Sequence, residues 1–463
     1  MSPLLIGVLG VVLLMILLFM RMPIAVAMGV VGVLGMGMVV GFEAGLSILK
    51  TAPFAAIARY GFSVVPLFIL MGSFCFHAGV SRDLYYTVNK WIGHFRGGLA
   101  MATVGACAGF AAVSGSSLAT TATMGTVALP EMKKYKYSLE LATGAIAAGG
   151  TLGILIPPSV VLVIYGILTE QSIAALFLAG FIPGILEAIF YIITISIVCR
   201  FNPEAGPAGP KTTFKEKIIS LKDTWPIFTI FVIVIGGIYT GIFSPTEAAG
   251  IGAFSALLIA LLKRKLARNN FIASLEDTMK STAMIFTILI GAMVLGYFLT
   301  ATRLPFELAN VVSGLDLNRY IILGMILAVY VILGCIMIPM AMVILTIPIV
   351  FPLVTAQGFD PIWFGIITVR IFEIAQITPP VGMNVFVMKG VAPDIPMGTI
   401  YKGIIPFFIA DIFHLILLIV FPQIALFLPS HRIYVDLDWF IPKLGEPEAL
   451  FLKLKSLKIN FKV

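Results

Sequence analysis

Long apolar segments separated by short polar connectors dominate this sequence of 463 residues. Many of the segments exceed the roughly 18 apolar residues that mark a helix able to cross a lipid bilayer. Ordinary membrane spans are expected near residues 3–20, 23–41, 63–80, 172–199, 225–243, 246–263, 282–301 and 403–428. Residues 42–62 carry Glu43, Lys50 and Arg59 among apolar positions, which predicts a helix that lies in the membrane interface. The pattern as a whole predicts an all-α polytopic membrane protein.

Two further apolar segments, 138–168 and 361–388, are each interrupted by a pair of adjacent prolines. The interrupted stretches are Gly149–Ser159 and Gln376–Gly382. Each proline removes a backbone donor, and Pro157 also forces Ile156 out of the helical region. A helix broken at membrane depth leaves polar backbone groups that lipid cannot satisfy, so the break must be buried in protein or line a watery cavity. Two broken helices in matching positions of two halves indicate the binding site of a transporter.

Residues 98–131 are apolar but rich in Gly, Ala, Ser and Thr, and the polar stretch Ser114–Ser117 divides them. Each arm has about 16 residues, which is short for a full crossing. Basic residues lie beyond both ends, with Arg96 before the segment and Lys133 after it. Both observations predict a re-entrant hairpin with its tip at Ser114–Ser117. A second apolar segment with short arms, 319–354, predicts a second hairpin.

Three pairs of prolines share one spacing along the chain. The pairs are Pro23 with Pro245, Pro130 with Pro352, and Pro157 with Pro379, each separated by 222 positions. A constant spacing across distant landmarks indicates internal duplication. Each half then holds five spans and one hairpin, and the odd number of spans predicts an inverted-topology repeat. The predicted organisation is a first repeat at 1–200, a cytoplasmic linker at 201–223, a second repeat at 224–429, and a tail of unknown role at 430–463.

Composition and charge agree with this organisation. The chain is 60% hydrophobic and 11% charged, whereas soluble proteins have about 25% charged residues. The net charge of +8 does not indicate nucleic-acid binding, because the basic residues occupy short loops between apolar segments. With the N-terminus outside, the inside loops contain nineteen Lys and Arg residues, and the outside loops hold only Lys50, Arg59, Arg303 and Arg319. This asymmetry predicts the orientation of the chain in the membrane.

Each hairpin tip is expected to meet the helix break of its own half, and the residues at these two places are the candidates for binding ions and solute. Unwound backbone supplies oxygen ligands that suit Na⁺, and the N-termini of half-helices attract anions. The candidate Na⁺ ligands are Gly115, Ser116, Ser117, Gly149, Gly153, Pro157, Met337, Gln376, Thr378, Pro379 and Gly382. The candidate substrate-binding residues are Ser116, Thr120, Ser159, Arg370 and Asn384. The alternative for each small residue is close helix packing, which is common between membrane helices.

Charged residues inside apolar segments are costly and usually functional. Arg370 has two alternatives: its planar guanidinium binds a substrate carboxylate, or it forms an ion pair with Glu373 that neutralises both groups. Glu247 lies close to the end of a span, where solvent reaches it. Asp411 and His414 are three positions apart, which suggests a buried hydrogen-bonded pair. Neither His-Glu-x-x-His nor Gly-x-Ser-x-Gly occurs in the sequence, so an intramembrane enzyme is disfavoured.

Four motifs resemble the large membrane subunit, the DctM-like subunit, of tripartite ATP-independent periplasmic (TRAP) transporters. They are Gly115–Thr120, Gly149–Ser159, Ser172–Gly184 and Ile377–Gly382. The resemblance covers about residues 3–429. In many family members the second hairpin tip carries an aspartate where this chain has Ile338, which puts the substrate class and the ion stoichiometry in question.

The resemblance implies an elevator-type transporter in the bacterial inner membrane. In such a transporter the two hairpins and the two broken helices move against a fixed scaffold. The family works with a small four-helix membrane subunit and a periplasmic substrate-binding protein that delivers an organic acid, often a C4-dicarboxylate or a sialic acid. Na⁺ serves as the coupling ion, and no cofactor is required. The alternative is a stand-alone sodium-coupled carboxylate or ion carrier of related fold.

Overall fold

The computed structural model describes residues 2–314, 317–335 and 337–431, in which the regular structure is helical. Ten helices make up the first half of the chain. They are α1 (Pro3–Phe19), α2 (Ile24–Val39), α3 (Phe42–Ile57), α4 (Val64–His77), α5 (Val80–Ile92), α6 (Gly98–Ser114), α7 (Ser117–Lys134), α8 (Leu139–Thr151), α9 (Val160–Leu168) and α10 (Ile173–Phe201). Short 3₁₀ turns precede α4 at Tyr60–Ser63 and follow α10 at Pro203–Ala205.

Ten further helices make up the described part of the second half. They are α11 (Phe214–Tyr239), α12 (Pro245–Leu262), α13 (Arg268–Thr302), α14 (Leu304–Ser313), α15 (Arg319–Gly334), α16 (Pro339–Ala356), α17 (Pro361–Ile377), α18 (Met383–Val391), α19 (Met397–Val420) and α20 (Gln423–Ser430). The backbone of α11 widens into a π turn at Val232–Gly236. Most of the predicted tail, 430–463, lies outside the described residues.

Seven helices of the described chain are long and apolar enough to cross a membrane. Helices α1, α2, α6 and α15 are apolar but shorter. The all-helical polytopic architecture is confirmed, and most predicted spans coincide with helices. The span predicted at 282–301 is part of a longer helix, α13, which starts at Arg268. The position of α3 at the membrane interface and the orientation of the chain stay predictions.

Polar caps at the starts of the helices explain several helix boundaries. Ser116, Ser138 and Ser172 cap α7, α8 and α10 by accepting a hydrogen bond from a backbone N–H in the first helical turn. Ser244 and Glu247 form a reciprocal capping box at the start of α12. This places the Glu247 carboxylate at an exposed helix end, as the sequence predicts.

The two hairpins and the two broken helices form as predicted. Helices α6 and α7 are the arms of the first hairpin, and α15 and α16 are the arms of the second. Residues 152–159 separate α8 from α9, and residues 378–382 separate α17 from α18. Cis peptide bonds join Pro157 to Pro158 and Pro379 to Pro380.

The helices of the two halves recur at the spacing found in the sequence. Helix α7 starts at Ser117 and ends at Lys134, and α16 starts at Pro339 and ends at Ala356, so both ends are 222 positions apart. The two halves differ in one region: the first half has two helices, α3 and α4, where the second half has the single long helix α13. The boundaries predicted for the two repeats and the linker stay predictions.

Packing concentrates on the hairpins and the broken helices. Helix α8 packs against α6, α7 and α19, while α10 packs against α19 and α20. Helices α2 and α4 pack instead against α13, and α12 packs against α4. Nearly all of α8 and α17 is buried. The four cysteines, Cys75, Cys107, Cys199 and Cys335, are buried and form no disulfide bond among the described residues.

Candidate functional site

The tip of the first hairpin fits directly against the first helix break. Gly115 adopts a left-handed conformation (φ 60°), and a Cβ on it would lie 3.1 Å from the carbonyl oxygen of Pro158. A Cβ on Gly153 would lie 2.5 Å from the Ser116 carbonyl oxygen and 2.9 Å from the Ser117 nitrogen. Glycine is therefore required at position 153 because the two backbones approach so closely. The predicted contact between tip and break is present.

The hydroxyl groups around this contact stabilise the ends of the helices. Thr120 Oγ1 donates to the Ser116 carbonyl oxygen at 2.8 Å and lies 3.0 Å from Ser114 Oγ. Ser159 Oγ accepts from the Leu162 N–H at 3.3 Å and donates to the Ile154 carbonyl oxygen. Thr120 and Ser159 are fully buried. These predicted residues therefore hold the backbone of the tip and of the break in place.

The second break lies against the tip of the second hairpin. Cys335 Sγ donates weakly to the carbonyl oxygens of Thr378 and Pro379, at 3.8 and 3.6 Å. Gly382 adopts φ 60°, and a Cβ on it would lie 3.1 Å from the Gln376 carbonyl oxygen and 3.2 Å from that of Thr378. The Gln376 and Thr378 carbonyl oxygens therefore lie close to the Gly382 backbone at this break. Met337 is buried in the hairpin tip.

Two of the side-chain hydrogen bonds between the halves involve the first hairpin tip and the broken helices. Ser117 Oγ, at the first hairpin tip, donates to Gln376 Oε1 at the end of α17. Asn384 Nδ2, in α18, donates to the Ala147 carbonyl oxygen of α8 at 3.1 Å. The sequence predicts that each tip meets the break of its own half. The structure adds that the first tip also contacts the second broken helix.

The bond between Ser117 and Gln376 makes a testable contribution to stability. Ser117→Ala leaves the buried Gln376 oxygen without this donor, which we expect to lower the free energy of unfolding by about 1–3 kcal/mol. Thermal unfolding of the purified chain measures the loss. Ser196→Ala is the matched control, because Ser196 is exposed on α10 and bonds only to the Ile192 carbonyl oxygen of its own helix. An equal change in both variants would contradict the assignment.

A cavity of about 370 Å³ lies beside the first hairpin tip. Three helices present their first turns to it: α7 through Ser117, α9 through Val160, and α16 through Pro339. The N-terminus of a helix carries a partial positive charge and free N–H groups, so an anion is stabilised there. Hydroxyl groups of Ser114 and Ser116 also line the cavity.

The opposite wall of the cavity belongs to α4 and α13. Helix α4 contributes Gly72 and Ser73, and α13 contributes Asp277 and Ser281. His77 Nε2 lies 2.9 Å from Asp277 Oδ2 and links the two helices. Among the described lining residues there is no Lys or Arg. Helix termini are therefore the only positive groups that these walls offer to a bound anion.

Arg370 lies away from this cavity, in a cluster of three carboxylates. Its Nη1 donates to Glu187 Oε1 at 2.6 Å and to Glu373 Oε2 at 2.8 Å, and its Nη2 donates to Asp411 Oδ1. All four side chains are 0% exposed. The ion-pair alternative for Arg370 thus matches the geometry, whereas a carboxylate substrate in the cavity does not reach the guanidinium.

Gly149 and Asp411 have surroundings that the sequence did not reveal. Gly149 lies inside α8, and a Cβ on it would meet Cys107 Sγ of α6 at 3.1 Å, which matches the packing alternative for this residue, and its role in Na⁺ binding stays a prediction. The predicted hydrogen bond between Asp411 and His414 is wrong. Asp411 bonds to Arg370, and neither ring nitrogen of His414 has a hydrogen-bond partner in the described chain.

Glu187 is a member of the cluster that the sequence analysis did not single out. It lies in the middle of α10, whose other charged residue, Arg200, is in the last turn. An ionisable residue inside an apolar segment is the same signal that singles out Arg370. Applied to every apolar segment, this criterion finds Glu187 as well.

One ion pair joins the end of the first hairpin that is farthest from its tip to the loop after the second broken helix. Lys133 Nζ, in the last turn of α7, lies 2.6 Å from Asp394 Oδ2. The hydrogen bond from Lys133 lowers the pKa of the Asp394 carboxyl. Both side chains are exposed, so the pair contributes little to stability.

Comparison with known proteins gives a consistent picture. Residues 11–424 match the family of the DctM component of tripartite ATP-independent periplasmic transporters. The chain is 37% identical over 378 residues to the C4-dicarboxylate TRAP transporter large permease protein DctM of Pseudomonas aeruginosa, covering 81% of this chain and 88% of that protein. It is 32% identical over 417 residues to the sialic acid TRAP transporter large permease protein SiaM of Vibrio cholerae, covering 87% and 97%.

A solved structure supports the fold independently. The chain is similar to the YdaH transporter of Alcanivorax borkumensis, with a TM-score of 0.63. The similarity covers 83% of this chain and 90% of that transporter at 15% sequence identity. At this identity the likeness concerns the fold alone.

Proposed function

We propose a function for this chain from the premise that it belongs to the DctM component family of tripartite ATP-independent periplasmic transporters. It is a large permease subunit, a multi-pass protein of the bacterial inner membrane, and not an enzyme. The proposed activity is import of an organic acid together with Na⁺. The proposed partners are a small four-helix membrane subunit and a periplasmic binding protein that delivers the acid.

The observation that carries the proposal is the cavity at the first hairpin tip. The first turns of α7, α9 and α16 converge on about 370 Å³ of space, a volume that suits a small-molecule ligand. Three helix N-termini favour a negatively charged solute even though no described lining residue is basic. A C4-dicarboxylate or a sialic acid, the solutes named for two relatives, has the carboxylate that this arrangement favours.

The chemistry of the two breaks supports the proposed sodium coupling. Hard cations prefer oxygen ligands, and unwound backbone in a broken helix supplies them. The residues proposed to bind Na⁺ are the first tip and break around Gly115–Ser117 and Gly153, and the second break around Gln376–Gly382. In the second break, the carbonyl oxygens of Gln376 and Thr378 both lie within about 3.2 Å of the position of a Cβ on Gly382.

The proposed transport step is an elevator movement. The cavity has one wall of hairpin and broken-helix residues and an opposite wall from α4 and α13. Movement of the two hairpins and the two broken helices along α4 and α13 would carry the solute and the ions together. Gly72 of α4 allows close approach at this boundary, because a Cβ there would lie 2.8 Å from the Val113 carbonyl oxygen of α6.

Two hydroxyl substitutions test the Na⁺ assignment. We expect Ser116→Ala and Thr378→Ala each to raise the Na⁺ concentration for half-maximal uptake about tenfold, because each removes one oxygen from a proposed site. Uptake into proteoliposomes at varied Na⁺ concentration measures the change.

Matched controls separate ion binding from helix stability. Ser172 caps α10 as Ser116 caps α7, and Thr194 bonds to the carbonyl oxygen four residues earlier as Thr378 does. Ser172→Ala and Thr194→Ala should leave the Na⁺ dependence unchanged. An unchanged Na⁺ dependence in both Ser116→Ala and Thr378→Ala would reject the assignment.

The second candidate function is a stand-alone sodium-coupled carrier of carboxylates or ions. The observation that favours it is that the described residues of this one chain form the cavity and both helix breaks. Omitting the binding protein from the proteoliposome assay discriminates the two functions. Uptake that requires the binding protein supports the tripartite function, and full uptake without it supports the stand-alone carrier.

A further inference from the structure

A cluster of ionisable side chains lies behind the two helix breaks. Glu187 comes from α10, Arg370 and Glu373 from α17, and Asp411 from α19. One guanidinium faces three carboxyl groups, so the cluster has a net charge of −2 when every group is ionised. Each of the four side chains is 0% exposed.

Several atoms of the cluster have no partner within the described chain. Glu187 Oε2, Glu373 Oε1 and Asp411 Oδ2 are buried and accept no hydrogen bond from a described residue. Unpaired carboxylate oxygens and uncompensated negative charge are unfavourable in a buried site. A bound cation would relieve both problems at once.

The arrangement of the carboxyl groups favours a proton as that cation. Among the described residues, no three His, Cys, Asp or Glu side chains are placed to hold a metal ion. Two neighbouring ionisable groups form no ion pair with the cluster. Tyr191 of α10 donates its hydroxyl hydrogen to Glu187 at 2.8 Å, and neither ring nitrogen of His414 of α19 has a hydrogen-bond partner in the described chain. A single proton on a carboxyl group reduces the net charge to −1.

The hydrogen bonds indicate which carboxyl group holds the proton. Glu187 Oε1 accepts from both Arg370 Nη1 at 2.6 Å and the Tyr191 hydroxyl at 2.8 Å. Asp411 Oδ1 accepts from Arg370 Nη2, which it does not share. Glu373 Oε2 accepts only from Arg370 Nη1, which it shares with Glu187. Glu373 is therefore the carboxyl group whose negative charge is compensated least.

The position of the cluster links it to both breaks. Thr151, the last residue of α8 before the first break, places its Oγ1 3.4 Å from Glu187 Oε1 and 3.3 Å from the Tyr191 hydroxyl. Glu373 lies in α17, five positions before the second break begins at Thr378. One hydrogen-bonded network thus connects the ends of the two half-helices that precede the breaks.

We propose that the Glu187–Arg370–Glu373–Asp411 cluster is a proton-binding site, with one exchangeable proton held on the Glu373 carboxyl at neutral pH. The site is separate from the residues proposed to bind Na⁺ and from the cavity beside the first hairpin tip that is proposed to bind the anion. It stands on the contacts within the cluster and goes beyond the proposed function.

Infrared spectroscopy of the whole chain, purified in a detergent without carbonyl groups, tests the proposal directly. A protonated carboxylic acid has a C=O stretch that is distinct from the carboxylate bands. The wild-type chain at neutral pH should show this band. The band should shift in D₂O and in protein made with ¹³C-carboxyl glutamate, and should not shift with ¹³C-carboxyl aspartate.

Glu373→Gln should remove the band, and Glu276→Gln should retain it, because Glu276 is an exposed carboxylate paired with Lys280 at 3.4 Å. The isotope experiments use the wild-type chain, so they remain decisive if Glu373→Gln fails to fold. A wild-type spectrum without the band would overturn the proposal. A band whose position does not shift in D₂O or with labelled glutamate would also overturn it, and so would a band that persists in Glu373→Gln.

Discussion

Arg370→Gln is expected to lower the free energy of unfolding by about 3–5 kcal/mol, the loss typical of removing one partner from a buried ion pair. The variant leaves Glu187, Glu373 and Asp411 in a buried site without their only guanidinium donor. Thermal unfolding of the purified chain should therefore start at a clearly lower temperature. Uptake should fall because less folded protein reaches the membrane.

An exposed ion pair provides the control for Arg370. Lys280 Nζ lies 3.4 Å from Glu276 Oε2 on α13, and both side chains are largely exposed. Lys280→Gln should therefore change the free energy of unfolding by less than about 1 kcal/mol. The decisive contrary outcome is an Arg370→Gln chain with wild-type stability and no uptake. That result would support the alternative that Arg370 binds a substrate carboxylate.

Gly153→Ala is expected to reduce uptake about tenfold or more while the chain still inserts and folds. The added methyl group would lie 2.5 Å from the Ser116 carbonyl oxygen. Neither atom can rotate away, because the oxygen belongs to the backbone and the backbone of residue 153 fixes the position of the methyl group. Overpacking of this kind costs about 1–3 kcal/mol, and about 1.4 kcal/mol changes an equilibrium tenfold. Initial rates in proteoliposomes, normalised to the amount of incorporated chain, measure the effect.

Gly324→Ala is the control for the added methyl group. Gly324 lies in α15 of the second hairpin, and a Cβ on it would meet no atom within 4 Å. Uptake by this variant should match that of the wild-type chain. Normal uptake by Gly153→Ala would contradict the claim that the first tip must fit closely against the first break.

The positions of the hairpins and breaks were predictable because local chemistry determines them. Paired prolines such as Pro379 and Pro380 end a helix wherever they occur in one. The short polar stretch at Ser114–Ser117 divides an apolar segment into arms too short to cross a membrane. The constant spacing of 222 positions then relates the first hairpin and the first break to the second hairpin and the second break.

The contacts between the halves were not predictable from the same patterns. Ser117 and Gln376 are 259 positions apart, and their bond depends on how the first hairpin packs against α17. The partners of Arg370 show the same limit: Glu373 lies on the same helix at a spacing that predicts contact, whereas Glu187 and Asp411 come from α10 and α19. Helix periodicity contains no information on which distant helices become neighbours.

The anion cavity combines both kinds of information. The helix starts at Ser117, Val160 and Pro339 follow from the hairpin tips and from the first break. Their convergence on one space depends on three-dimensional packing. The anion binding proposed here relies on helix termini, since no described lining residue is Lys or Arg, so counting Lys and Arg in the sequence could not have located the cavity.

The most direct test of the central claim is uptake of a labelled carboxylate by proteoliposomes that contain this chain, the small membrane subunit and the binding protein. We expect accumulation of the carboxylate when an inward Na⁺ gradient is present, and no accumulation when K⁺ replaces Na⁺. Equal accumulation with and without the Na⁺ gradient would contradict it.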